Sequence, residues 1–392
     1  MTSGFRPTLN REFLREVLFR LIAIDSRNPT LTPGAPGEED LANFIMSELA
    51  RIGLEPSRQE TAQPNRPNVV ATMPGQRSGA PSLMLLAHMD TVGVDGMSAP
   101  FLPWEQHGQV YGRGAQDMKG SIAAMLAVAD ALVQAGHGPE GDLTLAFVSD
   151  EEADSIGAQR LVEDPIAEQT LVLEPTGMEI AVAHRGFAWY TVTAEGRAAH
   201  GSRWQEGIDA ISCMGVFLAA LHEHAAELVA RPSSTAAGPP SIHASTIAGG
   251  TAISIYPATC TVRVERRTAP GEALADVTGE LRSLIEATNR HLSAERLSLS
   301  LDLVREPFES RTDGTLLDRL CTAASGAMDV EPEVVGAPYW TDAAILAAAG
   351  SDCVIFGPLG YGLHTTEEWV DLASVHQTAE VLIDLVCAGQ AT

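Results

Sequence analysis

The residues of this chain best suited to chemistry are histidines and carboxylates that recur where short apolar runs end. Leu83 to Ala87 is apolar and unbroken, and His88 and Asp90 follow it. In extended chain, residues two apart face the same side, so this imidazole and carboxylate lie within reach of each other. Such a pair suits metal ligation, because one ring nitrogen binds while the carboxylate fixes the tautomer through the other. Asp117 stands before a stretch with Ile122, Leu126, Ala129 and Val133 at helical spacing, a position that fits a helix N-cap as well as a ligand. Leu143 to Ser149 runs into Asp150-Glu151-Glu152, and Thr170 to Leu173 ends in Glu174. Cys353 to Phe356 precedes a glycine-rich turn, Gly357 to Gly362, and then His364.

Collected at one rim, His88, Asp117, Glu152, Glu174 and His364 offer two imidazoles and three carboxylates. These donors suit divalent ions such as Zn²⁺, Mn²⁺ or Co²⁺. Five ligands exceed one open tetrahedral site, and two ions bridged by one carboxylate use them all. Glu151 and Glu152 are neighbours, so their side chains diverge; one can ligate while the other faces substrate as a base. Alone, the Asp-Glu-Glu run reads as a solvated strand exit. Its company at the same rim points to a site instead.

The elements that must position these residues alternate between strand and helix. Arg11 to Ile24 and Glu38 to Ile52 have helical patterning, the second closed by Gly53. The alternation implies an α/β fold with a mostly parallel sheet flanked by helices and a ligand crevice beyond the strands' carboxyl ends. The middle of the chain reads differently: a strand at FAWYTVTAEG, a helix from Gly207 to Val229, and strands at Ser245 to Ala248 and Cys260 to Glu265. A helix from Glu272 to His291 and a strand from Leu297 to Val304 follow. That βαββαβ order is the ferredoxin-like unit. Residues 1–182 and 305–392 are thus expected to form a catalytic domain, and 183–304 an inserted one, in keeping with a length of 392 residues.

Composition narrows the partners. A net charge of −26 with no offsetting basic run argues against nucleic acid and makes clustered arginines informative. Cys213, Cys260, Cys321, Cys353 and Cys387 are odd in number and widely spaced, as reduced core residues are. Arg15 and Arg20 interrupt the first apolar stretch, which therefore lacks a signal-peptide core, and no apolar run is long enough to span a bilayer. The expectation is a cytoplasmic protein without a membrane partner.

The motifs LLAHMDTV, YGRGAQDMKG, VSDEEADSIGA, LEPTG, GRAAHGS, VERRTAPGE and FGPLGYGLHTTEEWV cover nearly the whole chain. In this order they resemble the dinuclear zinc peptidase and deacylase family that includes acetylornithine deacetylase, succinyl-diaminopimelate desuccinylase, aminoacylase and glutamate carboxypeptidase. The resemblance implies a metal-dependent amidohydrolase with two Zn²⁺ per subunit, replaceable by Co²⁺ or Mn²⁺. It implies that His88, Glu152, Glu174 and His364 are terminal ligands, Asp117 the bridge, Asp90 the partner of His88 and Glu151 the general base. It also implies a homodimer formed through the inserted lid domain, with His200 reaching the partner's site to support the oxyanion. Substrates of the family carry a free carboxylate beside the scissile amide. Arg267 corresponds best to the family's substrate arginine, while Arg266 reads as a surface salt-bridge residue, and Gly360 lies in the loop able to lend backbone N–H groups. Ser254 stands in GGTAISIYP where many relatives have asparagine, and Leu359 interrupts the usual glycine-rich turn, changes that bear on substrate choice. The alternative is a noncatalytic dimeric metal- or ligand-binding module of the same fold, which has no use for Glu151 beside the ligands.

Overall fold

The Leu83–His88 strand is buried along its whole length, as a strand covered on both sheet faces must be. In the computed structural model, which describes residues 6–233 and 235–387, it pairs in parallel with Leu143–Val148 on one side and Gln169–Val172 on the other. Asp352–Phe356 extends the parallel set beside Gln169–Val172. The flanks are antiparallel: Asn68–Met73 runs against Leu143–Val148 and Ser57–Gln59 against Asn68–Met73, while Ile180–His184 opposes Asp352–Phe356. The sheet is therefore mixed, parallel at its centre, and its four parallel strands deliver His88, Asp150, Glu174 and Gly357 to one edge.

Helix Gly120–Gln134 lies almost wholly inside, with Arg11–Ala23 and Leu372–Cys387 packed beside it. Its continuous apolar character, rather than a single stripe, is what burial between layers requires. Gly53, at φ 106°, closes helix Glu39–Ile52 by donating to the carbonyls of Leu49 and Ala50, a left-handed cap that glycine adopts without steric cost. A separate small sheet, ordered Gly360–Tyr361, Trp369–Asp371, Gln109–Tyr111 and Trp104–Gln106, sets the segment before Asp117 alongside the segment after His364.

The chain divides into two compact units. The first contains residues through Val182, Ser310–Val335 and everything from Thr341 onward; the second contains Ala183–Glu309 and Gly336–Trp340. The second unit holds an antiparallel sheet ordered Ser241–Gly249, Thr259–Thr268, Gly186–Glu195 and Leu297–Arg305. Helices Ala210–Val229 and Leu274–His291 share its core, which is the βαββαβ arrangement. The unit reaches past residue 305 because Phe308–Glu309 pairs with Ala183 and His184. The five cysteines are free, and no helix of the described residues is long and apolar enough to cross a membrane.

Phe147 is fully buried in the first unit's core one strand away from Leu83–His88. Phe147→Ala is expected to cost about 3–5 kcal/mol of stability through lost burial and the cavity left behind. Urea unfolding of the two proteins checks this, and a loss below ~1 kcal/mol would show the core collapsing around the gap.

Candidate active site

Asp117 is not a helix cap. The helix begins at Gly120, and residues 115–119 form an irregular turn in which Asp117 is extended, at φ −118° and ψ 92°. Gly114, at φ 80°, enters that turn, and a Cβ there would meet Thr91 Cγ2 at 2.8 Å and Lys119 Cδ at 3.0 Å. Freed from capping, the Asp117 carboxylate lies 2.9 Å from His88 Nε2 through Oδ1 and 3.4 Å from His364 Nε2 through Oδ2. Each imidazole thus faces a different oxygen of one carboxylate. His364 Nε2 also lies 3.0 Å from Glu152, and His88 Nε2 lies 3.9 Å from Glu174. Ligand atoms of His88, Asp117 and Glu152 fall within 4.8 Å of one another, as do those of His88, Glu151 and Glu174.

Glu151 and Glu152 do diverge, though from a turn rather than an extended strand exit. Asp150 takes φ 71°, which sends Glu152 toward Asp117 and His364 and leaves Glu151 beside Glu174. Asp90 fixes that turn: its carboxylate accepts from the backbone N–H groups of Glu151 at 3.0 Å and Glu152 at 3.2 Å. Its hold on His88 differs from the expected carboxylate contact. His88 Nδ1 lies 3.0 Å from the Asp90 carbonyl oxygen and 3.6 Å from the carboxylate. A proton on Nδ1 satisfies that carbonyl and leaves Nε2 to face Asp117.

Burial works against this concentration of acid. It pushes Glu151 well above the ordinary carboxylate range, with the charge of Glu174 adding to the effect, and raises Glu174 against the pull of His88. Burial and then Asp117 push Glu152 up to about 7. Burial disfavours the His88 cation, but hydrogen bonds to Asp117 and Asp90 outweigh it and hold the ring well above its ordinary value. Hydrogen bonds to Asp117 and Glu152 raise His364 to about 10. Burial opposes ionisation of Asp117 too, yet the two histidines hold it below the usual range. Four clustered carboxylates facing two imidazoles have surplus negative charge that only protons or cations can offset. The oxygen and imidazole donors match divalent ions such as Zn²⁺, and ligand atoms on one tetrahedral Zn²⁺ lie about 3.3 Å apart. The residues therefore fit a metal centre.

Several supports of this site carry no sequence signal. Asn28, fully buried, donates from Nδ2 to Asp90 at 2.7 Å and to Asp150 at 2.9 Å, while its Oδ1 accepts from Thr30 N. Arg66 pairs with Asp150 at 2.6 Å and grips Glu38 through two hydrogen bonds. These residues sit in loops or at a helix start, where no periodicity marks a polar side chain as buried.

The remaining expected residues are placed as follows. Gly360 is a paired strand residue whose Cβ would meet Gln116 Cγ and Trp369 O at 2.6 Å, so close approach alone demands glycine there. His200 and Arg267 belong to the second unit. His200 is exposed, with Nδ1 2.8 Å from Ser202 Oγ. Arg267 lies 3.2 Å from Glu265, with its guanidinium 5.1 Å from the Phe187 ring centre. Arg266 is not a surface residue: its side chain is 1% exposed and pairs with Glu272 at 2.6 Å. It occupies the helix-covered face of its strand, one position out of phase with Arg267.

Residues 84–388 match peptidase family M20/M25/M40. The chain is 28% identical to acetylornithine deacetylase of Myxococcus xanthus over 389 residues, covering 96% of this chain and 98% of that protein. It is 28% identical to carboxypeptidase G2 of a Pseudomonas species over 377 residues, covering 91% of this chain and 86% of that one. Its fold is similar to that of a dinuclear metal-binding peptidase from Bacillus subtilis, with a TM-score of 0.72 at 15% identity over 96% and 97% of the two chains.

Lys119, two residues past Asp117, is fully buried, donates from Nζ to the Ile24 carbonyl at 2.7 Å, and is pushed down to about 7 by burial. Between that value and its ordinary 10.5 the unfolded chain binds the extra proton. Lys119 therefore makes stability rise with pH across the window, by up to about 1.4 kcal/mol per unit. Lys119→Met is expected to flatten that rise in urea melts taken from pH 7 to 10. An unchanged slope would contradict the burial argument.

Proposed function

Because the chain belongs to peptidase family M20/M25/M40, whose members are metal-dependent hydrolases, we propose that it cleaves the amide bond of an N-acyl amino acid or small peptide bearing a free carboxylate. Deacylase and carboxypeptidase activity are the two forms this takes. The observation that carries the reading is Asp117, which turns one oxygen to His88 and the other to His364 with Glu151 close by.

In this reading His88, Asp117, Glu152, Glu174 and His364 would hold two divalent ions, Zn²⁺ or in its place Co²⁺ or Mn²⁺, with Asp117 the carboxylate that both imidazoles face. When bound, such ions supply Lewis acidity toward a carbonyl and bring the pKa of water to about 7. Glu151 accepts the proton of the attacking water and returns it to the departing amine. Asp90 holds the backbone of Glu151 and Glu152 and the tautomer of His88, so that base and ligands keep their separate directions. Arg267 grips the substrate carboxylate with its planar fork, and the backbone at Gly360 is a second source of N–H donors. The first unit, with the expected 1–182 and most of 305–392, then acts as the catalytic domain, and the second, with the expected 183–304, as a lid.

The lid also serves as the contact of a homodimer, in which His200 of the partner subunit donates to the oxyanion. Strand Ser241–Gly249 supports the dimer: it is an edge strand, exposed from His243 to Gly249, and an edge of this kind is a template for pairing with a second chain.

N-acetyl and N-succinyl amino acids, dipeptides and acyl-glutamates, each assayed with Zn²⁺, Co²⁺ and Mn²⁺, separate the two activities. Turnover of none of them would contradict the reading. Glu151→Ala is expected to keep its metal, measured by elemental analysis, and to lose about 10²–10⁴-fold in kcat; wild-type turnover would remove the base. His200→Ala is expected to keep metal and fall by about 10²-fold or more, and an unchanged rate discards the role across the dimer.

A further inference from the structure

The Asp117 turn is held from a segment far along the chain. Glu368 is 2% exposed, while its neighbour Glu367 is exposed. Its Oε1 accepts from the backbone N–H of Gln116 at 2.9 Å and of Asp117 at 3.1 Å. Its Oε2 accepts from the backbone N–H of Gly114 at 2.9 Å and from Arg113 Nη1 at 2.7 Å. One carboxylate thus gathers four N–H donors from residues 113–117. Arg113 completes the clasp by donating to the carbonyls of Thr365 at 2.8 Å and Gly93 at 3.0 Å.

Resting on the two-metal reading above, we infer that Glu368 is the positioning residue that sets the direction of the Asp117 carboxylate and keeps it in register with His364, four residues before Glu368. Three of its contacts are to backbone N–H groups, so they orient the turn itself rather than any one side chain. The turn's own backbone bonds, from Ala115 N–H to the Gly112 carbonyl at 3.1 Å and from Lys119 N–H to the Gly114 carbonyl at 2.8 Å, leave the N–H groups of Gln116 and Asp117 to Glu368. The small sheet pairs Trp369–Asp371 with Gln109–Tyr111 and packs Gly360 against the Gln116 side chain, but its ladder bonds stop at Gly112 and hold none of the peptide groups of residues 113–117. A neutral amide in place of this carboxylate would turn an NH₂ group toward N–H donors, with one acceptor lost and a donor opposed by donors. Partners of this kind behind metal ligands typically matter by 10–100-fold in affinity.

Co²⁺ binding to the full-length protein tests this, read by competition with a chelator and by the visible absorption bands, which respond to the geometry around the ion. Glu368→Gln is expected to weaken Co²⁺ binding by about 10–100-fold and to change the bands. Glu367→Gln, which removes the same charge at the exposed neighbour, and Leu320→Ala, a core variant that lowers stability elsewhere, are both expected to leave affinity and bands as in the parent. Glu368→Asp, which keeps the charge but falls one methylene short, is expected to lie between, and it carries the test if Glu368→Gln does not fold. Parent-like affinity and bands in Glu368→Gln, or a loss matched by Leu320→Ala, overturn the inference alone. A parent chain that takes up no Co²⁺ overturns the two-metal reading, and the inference with it.

Discussion

Everything at this site follows from the cost of burying acid. Asp117, Glu151, Glu152 and Glu174 converge on two imidazoles where the central strands end, and burial resists ionisation of all four. A carboxylate removed from water is tolerated when it is neutralised or given donors. The protein gives Asp117 two histidines and leaves the other three with raised proton affinity. Such a cluster is poorly stable as a set of anions and well suited to multivalent cations, which places the chemistry in the donor set rather than in any one residue.

The scaffold answers with carboxylates that face only donors. Asp90 accepts from Asn28 and from two backbone N–H groups of the Glu151 turn, and Glu368 does the same for the Asp117 turn. The two devices are alike in physics: a buried anion binds a loop through its peptide groups and so fixes the side chains that loop carries. They recruit distant parts of the chain, from Asn28 and Arg66 at one end to Glu368 at the other. The loops that carry chemistry thus have their peptide groups bonded, as the strands that precede them do.

What the sequence disclosed and what it withheld divide along this line. Unbroken apolar runs mark the central strands, and the His, Asp and Glu residues just past them mark the rim, because ligands of a parallel sheet bind beyond the carboxyl ends of its strands and these residues gather there together. The βαββαβ unit was legible from the order of its elements. The start of the helix after Asp117 is not legible, because a residue before an apolar helical stretch has the same composition signature whether it caps or ligates; the helix begins only at Gly120. Arg266 was read as exposed because two adjacent arginines on a strand look alike until the helix-covered face is known. Asn28, Arg66 and Glu368 were invisible, since their partners are peptide groups and carboxylates tens or hundreds of residues away, which local pattern does not encode.

The central claim is that one carboxylate is shared between two cations, each also held by one of the two histidines. Anomalous diffraction from crystals of the full chain grown with Zn²⁺, recorded on either side of the zinc edge, tests it most directly. The account predicts two zinc peaks per subunit, flanking Asp117, one bonded to His88 Nε2 and the other to His364 Nε2. Two peaks that do not share Asp117, or zinc bound away from both histidines, would contradict it.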